Sequence, residues 1–155
     1  MNKHINLDVA CDSSDIPKLE DFQNWLNQTV DFPVTVNIRI VDEHESQAVN
    51  FEYREKNKPT NILSFEFDCP EFIDPKETDY LLGDLLICAS IVNQEANEQN
   101  KPLNDHWAHI FIHGLLHLQG HDHIDEDEAI IMENLERQIL AKFSIPDPYR
   151  QENTI

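Results

Sequence analysis

The sequence predicts an α+β fold, with an about four-stranded mixed sheet and about five helices. Two patterns in the 155 residues support this prediction. Short segments that alternate apolar and polar residues are typical of strands, and longer segments with apolar residues three or four apart are typical of helices. A third observation, a cluster of histidines in one of the helical segments, predicts that this helix is a zincin-like metal helix. We expect residues 1–155 to form one domain.

Four segments have the character of strands. Residues 34–40 alternate most clearly, with Val34, Val36, Ile38 and Ile40 on one face. The first strand should lie parallel to this second one, because a helical segment connects them. The acidic, proline-containing segment 68–80 is expected to be a loop. The predicted strands are 4–10, 34–40, 62–67 and 85–89.

The helical segments carry recognisable end signals. Ser13 or Ser14 could cap the first helix, and Asp125 with Glu128 has the spacing of an N-cap and its capping box. Gly120 is placed to end the histidine-bearing helix, because glycine adopts a left-handed conformation at little cost. The predicted helices are 15–30, 44–55, 90–99, 102–119 and 126–143.

The composition argues against nucleic acid as a partner. The net charge is −19, from 30 acidic and 11 basic residues, and such a chain repels polyanions at long range. A nucleic-acid substrate must therefore depend on local features. Arg54, Lys56 and Lys58 form the one conspicuous basic cluster.

Two further patterns concern the cellular compartment. No apolar stretch is long enough to cross a membrane, and the N-terminus lacks the apolar core of a signal peptide. These features predict a cytoplasmic protein. Cys11, Cys69 and Cys88 are widely spaced and are expected to be reduced structural thiols.

Residues 113–123, HGLLHLQGHDH, carry the strongest chemical signal. His113 and His117 are four residues apart on a predicted helix, so both imidazoles project from one face. A turn at Gly120 would bring His123 to the same point. Three protein ligands with one open position are typical of catalytic zinc sites, so we predict one zinc per chain bound by His113, His117 and His123.

A pair of histidines at this spacing is also common by chance on amphipathic helices. Here the surrounding segment 110–118 is apolar on every other side, which predicts a buried helix. Buried imidazoles need partners, and a shared metal satisfies both at once. His106 and His109 extend the same face and could support the ligands, but we interpret them as the exposed end of the helix. His4 and His44 are expected at the surface.

The ligand spacing is also that of the metzincin peptidases. Those enzymes place a general-base glutamate directly after the first histidine, where this chain has Gly114. A glycine inside a helix suggests close approach of backbone or substrate beside the metal. A metallopeptidase therefore stays open as an alternative, opposed by Gly114.

The motif resembles that of the YbeY family of bacterial metal-dependent endoribonucleases, H-G-x-L-H-L-x-G-Y-D-H. His121 replaces the usual Tyr, Asn61 stands where the family often has Asp, and Glu66 where it often has Pro. Upstream segments match the family's blocks in the same order: Tyr53-Arg54-x-Lys56, Pro59-Thr60, Leu63-Ser64-Phe65 and Leu82-Gly83-Asp84.

The resemblance implies a single-strand-specific endoribonuclease that acts in 3′-end maturation of small-subunit ribosomal RNA and in ribosome quality control. It places the family's ligands on His113, His117 and His123, and its functionally important arginine on Arg54. Zinc would activate water and polarise a phosphoryl oxygen. Arg54 would bind a non-bridging phosphate oxygen, while Lys56 and Lys58 would hold flanking phosphates.

Several assignments stay open at this point. Either water or the 2′-hydroxyl of the RNA could attack the phosphate. Asp122 could orient a ligand histidine or simply be a residue of the turn. Asp84 could be structural or could face the metal site. A third class of function also remains: a non-catalytic, metal-dependent module on the ribosome, whose acidic surface would meet basic ribosomal proteins.

Overall fold

The chain folds around a four-stranded mixed sheet with five helices, as seen in a computed structural model that describes residues 3–12, 15–67, 72, 81–121 and 124–149. The α+β class is therefore confirmed. In chain order the elements are β1 (Lys3–Val9), α1 (Leu19–Thr29), β2 (Val34–Val41), α2 (Glu43–Arg54), β3 (Ile62–Glu66), β4 (Leu81–Cys88), α3 (Ala89–Glu98), α4 (Leu103–Leu118) and α5 (Glu126–Ala141).

The strands lie in the order β1-β2-β4-β3. β1 is parallel to β2, as predicted, and β2 is parallel to β4. β3 is antiparallel to β4, with Ile62 opposite Ile87 and Glu66 opposite Gly83. β4 begins at Leu81, four residues before the predicted start, and the expected loop 68–80 lies, apart from Phe72, outside the described residues.

α1 begins later than predicted, at Leu19 rather than residue 15. Pro17 explains the shift, because a proline disfavours the helical conformation of the residue before it, here Ile16. Ser13 and Ser14, the candidate caps, lie outside the described residues. The backbone N–H of Lys18 instead donates to the carboxylate of Asp21 over 3.1 Å, which ties down the first turn of the helix.

Side-chain caps fix the starts of α2 and α5. The carboxylate of Asp42 accepts from the backbone N–H of Glu45 over 2.9 Å, and that of Asp125 accepts from the N–H of Glu128 over 2.8 Å. The prediction that Asp125 caps its helix is confirmed. α2 ends at Arg54, because Glu55 adopts a left-handed conformation with φ 58°.

α4 is the central helix of the fold. It packs on α1, α3 and α5 and contacts β3 and β4. Phe22 of α1 meets Trp107 and Phe111 of α4 edge-on, with ring centroids 6.2 and 5.1 Å apart. Because most of this helix is enclosed by these elements, a polar side chain on its buried faces must find a partner inside the protein.

The expectations for His4, His44 and the cysteine thiols agree with the structure where it describes them. His4 and His44 are exposed. Cys11 is half-buried and Cys88 is buried, both as free thiols, while Cys69 lies outside the described residues. Among the helices of the described ranges, none combines the length and the apolar character needed to cross a membrane.

Candidate metal centre and cleft

His113 and His117 occupy successive turns of α4 and bring their Nε2 atoms to 3.1 Å from each other. Two nitrogens that bind one tetrahedral zinc ion at 2.0–2.1 Å lie about 3.3 Å apart. The separation therefore fits two corners of a zinc site. Both side chains are half-buried, so the pair is reachable from solvent but held by the helix.

Glu136 on α5 faces the other side of the His113 ring. One of its carboxylate oxygens, Oε1, is hydrogen-bonded to Nδ1 of His113. A carboxylate can only accept, so Nδ1 carries the proton and donates it. This tautomer places the ring's lone pair on Nε2, the atom that faces His117.

The second oxygen of Glu136 has two further partners. Oε2 accepts from Nε2 of His109 over 3.1 Å and from the hydroxyl of Tyr149. Burial alone would raise the pKa of Glu136, but the hydrogen bonds from His109 and His113 outweigh it and lower the pKa to about 2. The carboxylate is therefore ionised although its side chain is fully buried.

Burial also acts on the neighbours of Glu136. It lowers the pKa of His109, against the opposing effect of the Glu136 hydrogen bond, so this imidazole is neutral near pH 7. Burial and the bond to Glu136 both raise the pKa of the Tyr149 phenol, which keeps its proton as a donor.

The described residues include one group whose ligand atoms lie within 4.8 Å of one another and could hold a metal ion: His109, His113 and Glu136. The predicted ligand pair shares only His113 with this group. His117 lies beside the group through its 3.1 Å contact with His113. The third predicted ligand, His123, and the neighbouring Asp122 lie outside the described residues.

The end of α4 has the geometry that the sequence predicted. Gly120 has φ 93°, and its N–H donates to the carbonyl of His117 over 3.0 Å. The N–H of His121 donates to the carbonyl of Leu116 over 3.1 Å. This pair of bonds is the Schellman motif, which turns the chain sharply after the helix. The turn at Gly120 is confirmed.

Gly114 allows α4 to approach the sheet. A Cβ atom at this position would lie 2.6 Å from Cδ1 of Ile62 and 2.9 Å from Cδ2 of Leu85. The close approach predicted here does exist, but the partners are side chains of β3 and β4. The expectation of backbone or substrate beside Gly114 was wrong, because this face of α4 points into the core.

A cleft of about 790 Å³ opens in front of the histidines. Arg54, at the end of α2, lines it together with His113 and His117, so the structure brings the predicted arginine to the same cavity as the predicted ligands. Tyr53 and Phe65 form an edge-to-face pair at its wall, with centroids 5.2 Å apart.

The basic segment after Arg54 is held by buried polar side chains of α2. Asn50 donates to the carbonyl of Lys58 over 2.8 Å, and the hydroxyl of Ser46 bonds both the N–H and the carbonyl of Thr60 over 3.0 Å. Lys56 and Lys58 are exposed, and neither is among the described residues that line the cleft. They lie in sequence between Arg54 and Thr60, both of which line the cleft.

Asp84 does not face the histidines. It is exposed on β4 and accepts a 2.8 Å hydrogen bond from Asn37 of β2. Asp84 lines a separate groove over the sheet, with Tyr53 and Phe65 at the border between groove and cleft.

His106 and His109 do not form an exposed helix end, so that interpretation was wrong. His106 is 3% exposed, and its Nε2 lies 3.0 Å from Glu95 of α3. Glu95 also accepts from the amide of Asn61. The helix is covered at His106 and His109, because α3 and α5 each supply a carboxylate to this histidine face.

Glu136 and Tyr149 were not predicted from the sequence. A signal for Glu136 did exist, since it falls at helical spacing between Met132 and Leu140, which are buried. A glutamate at a core-facing position needs a buried partner. Nothing comparable marked Tyr149, which reaches Glu136 from the segment after α5.

The fold and this site together define an α+β protein with a zincin-like helix and a histidine–carboxylate group able to hold a metal ion. The sequence profile of the family described as Endoribonuclease YbeY matches residues 8–144. The chain belongs to this family.

Individual relatives agree over nearly the full length. A protein named Endoribonuclease YbeY from Colwellia psychrerythraea is 46% identical over 157 aligned residues, which cover 96% of this chain and 97% of the relative. One of the same name from Alcanivorax borkumensis is 44% identical, over 94% of this chain and 85% of the relative. A solution structure of a Thermotoga maritima protein shares the fold, with a TM-score of 0.54, 22% identity, and coverage of 95% of this chain and 99% of that one.

Proposed function

We propose that this protein is a metal-dependent endoribonuclease that cleaves single-stranded RNA. The observation that carries the proposal is the common cleft, which Arg54 lines together with the His113–His117 pair. Membership of the Endoribonuclease YbeY family supports RNA as the substrate. We further propose that residues 1–155 act as one cytoplasmic domain in 3′-end maturation of small-subunit ribosomal RNA and in ribosome quality control.

The metal is proposed to be one zinc ion per chain, held by His113, His117 and His123. The fit of the first two ligands is supported by their 3.1 Å separation. Glu136 is better suited to support than to ligation, because both of its oxygens already accept hydrogen bonds. When bound, zinc would supply Lewis-acid chemistry, activating water and polarising a phosphoryl oxygen.

Basic residues of the chain would bind the phosphate groups of the RNA. The planar guanidinium of Arg54 would bind a non-bridging phosphate oxygen and offset the negative charge that develops during cleavage. Lys56 and Lys58 would hold flanking phosphates outside the cleft. Because the whole chain carries a charge of −19, these local cations must overcome a repulsive long-range field.

Cleavage of a labelled single-stranded RNA by the metal-loaded protein tests the proposal. Arg54→Ala should lower kcat/KM by about 10- to 100-fold, the loss expected for a charge-assisted hydrogen bond, with metal content and fold unchanged. Lys142→Ala removes an exposed cation at the end of α5 and serves as the matched control. Equal cleavage by Arg54→Ala and wild type would contradict the role of Arg54.

The same preparation separates the alternative classes. A metzincin-like peptidase would hydrolyse unstructured peptides in a chelator-sensitive manner, but the position of its general base is Gly114, which is packed against Ile62 and Leu85. A non-catalytic ribosome-associated module would bind ribosomal proteins and leave RNA intact. Chelator-sensitive peptide hydrolysis without RNA cleavage would reverse the assignment.

A further inference from the structure

We propose that Glu136 is a positioning residue of the metal centre: it fixes His113 in the Nδ1–H tautomer, and Tyr149 couples this constraint to the segment after α5. The inference rests on the proposed metal site at His113 and His117. The residues that carry it, Glu136 of α5 and Tyr149 after this helix, lie outside the histidine motif.

The two oxygens of Glu136 accept hydrogen bonds from different residues. Oε1 accepts from Nδ1 of His113, while Oε2 accepts from His109 and Tyr149. The donors on Oε2 hold the carboxylate in one rotamer, so Oε1 presents a fixed acceptor to His113. His109 is itself part of α4, one turn before His113, so α4 and α5 are joined at two points.

A fully buried carboxylate is tolerated only when its oxygens are satisfied, because burying an unpaired charge is costly. Glu136 meets that condition with three donors. Loss of any donor therefore weakens the arrangement that holds the remaining two.

Tyr149 is held in place from α5. Arg137 donates to the carboxylate of Asp147 over 2.9 Å, and Asp147 accepts the backbone N–H of Tyr149 over 2.8 Å. The guanidinium of Arg137 also lies 5.4 Å from the centre of the Tyr149 ring. Arg137 thus clamps the segment 147–149 onto its own helix, next to Glu136, and fixes the direction of the Tyr149 hydroxyl.

This arrangement has a chemical consequence at the other ring nitrogen. A carboxylate that accepts from one nitrogen of an imidazole fixes the ring orientation and increases the basicity of the opposite nitrogen. For His113 that opposite nitrogen is Nε2, which lies 3.1 Å from Nε2 of His117. Glu136 would therefore strengthen and orient His113 as a ligand without touching the metal.

Two measurements test the proposal on the full chain. Long-range ¹H–¹⁵N spectra of the metal-free protein report the tautomer of His113, and competition with a chelator gives the affinity for Zn²⁺. Glu136→Gln leaves one acceptor oxygen for three donors, so we expect the Nδ1–H tautomer to lose its dominance. Zn²⁺ affinity should fall about 10- to 100-fold. Tyr149→Phe should keep the tautomer but lose a measurable part of the Zn²⁺ affinity, by less than about 10-fold.

Glu133→Gln is the matched control, because it makes the same chemical change one turn earlier on α5, at a half-buried position. It should change neither measurement. An unchanged tautomer and unchanged Zn²⁺ affinity in folded Glu136→Gln would overturn the proposal. If that variant does not fold, unchanged affinity in Tyr149→Phe would overturn it instead.

The outcomes also separate this inference from the proposed function. A wild-type protein that binds Zn²⁺ through a Glu136-dependent His113, yet cleaves no RNA, would support the inference and refute the endoribonuclease activity. RNA cleavage that depends on Arg54 but is unchanged in Glu136→Gln would support the endoribonuclease activity and count against the inference about Glu136.

Discussion

Adding one methyl group at Gly114 tests how closely the metal-binding helix is packed on the sheet. In Gly114→Ala the new Cβ would lie 2.6 Å from Cδ1 of Ile62 and 2.9 Å from Cδ2 of Leu85. Both distances are well below van der Waals contact between carbon atoms, which is 3.5–4.0 Å. Leu85 is 1% exposed, so it has little room to move away.

Two opposing effects set the size of the change. Overpacking a core by a methyl group typically costs about 1–3 kcal/mol, whereas alanine is preferred to glycine inside a helix by about 1 kcal/mol. The middle of the first range exceeds the second, so we expect a net loss of about 1 kcal/mol. For a chain of this size that corresponds to a fall in Tm of about 2–4 °C.

Urea unfolding of a double-mutant cycle measures the clash directly. Ile62→Val removes the atom nearest to the new Cβ, so it should couple favourably with Gly114→Ala by at least about 0.5 kcal/mol. Ile87→Val makes the same change at a buried residue of β4 that is not among the atoms nearest to this Cβ, and it should be additive. A Gly114→Ala protein as stable as wild type, with no coupling to Ile62→Val, would refute the packing argument.

Three further predictions concern the site. Purified protein should contain about one zinc or nickel per chain, and His113→Ala should lose it; metal analysis showing sparse binding unaffected by this change would contradict the assignment. The metal-free protein should lose stability as the pH falls below 6.5, the ordinary pKa of His109, because burial lowers that pKa in the folded state. It should lose about 3 kcal/mol more between pH 4.5 and about 2, where the Glu136 carboxylate becomes protonated. Urea unfolding of Glu136→Gln across this range should show a shallower fall in stability, and a fall equal to that of wild type would contradict the role given to Glu136. His121→Tyr should keep full metal occupancy while His123→Ala loses it, because Gly120 ends the helix and two more residues are needed to turn a side chain back; a titration with the opposite ranking would show that this account of the loop is wrong.

The periodicity of apolar residues was sufficient to predict the class of fold. Residues 34–40 alternate because β2 lies inside the sheet with one face in the core, and β2 was placed within one residue. The start of α1 was wrong by four residues, since apolar spacing continues through Ile16 although Pro17 disfavours a helix there. The spacing of apolar residues indicates which face of a segment is buried, but it does not indicate at which residue a helix can begin.

The histidine motif was predictable for a different reason. His113, His117 and Gly120 lie within eight residues, so helix geometry alone relates them, and the structure confirms the helix and the turn. Arg54 reaches the same cleft from α2, about 60 residues earlier. No local rule relates positions so far apart, and only the family resemblance had connected them.

The error at His106 and His109 shows what a single helix cannot reveal. Their spacing placed them on the histidine face of α4, but exposure depends on what covers that face. Glu95 of α3 and Glu136 of α5 approach it from elements 11 and 27 residues away in sequence. His106 and His109 have their carboxylate partners on α3 and α5, and Glu136 has its imidazole partners on α4. Matching a core-facing glutamate on one helix with a histidine face on another would have related Glu136 to the metal centre, because burial requires each charge and each imidazole to find its complement.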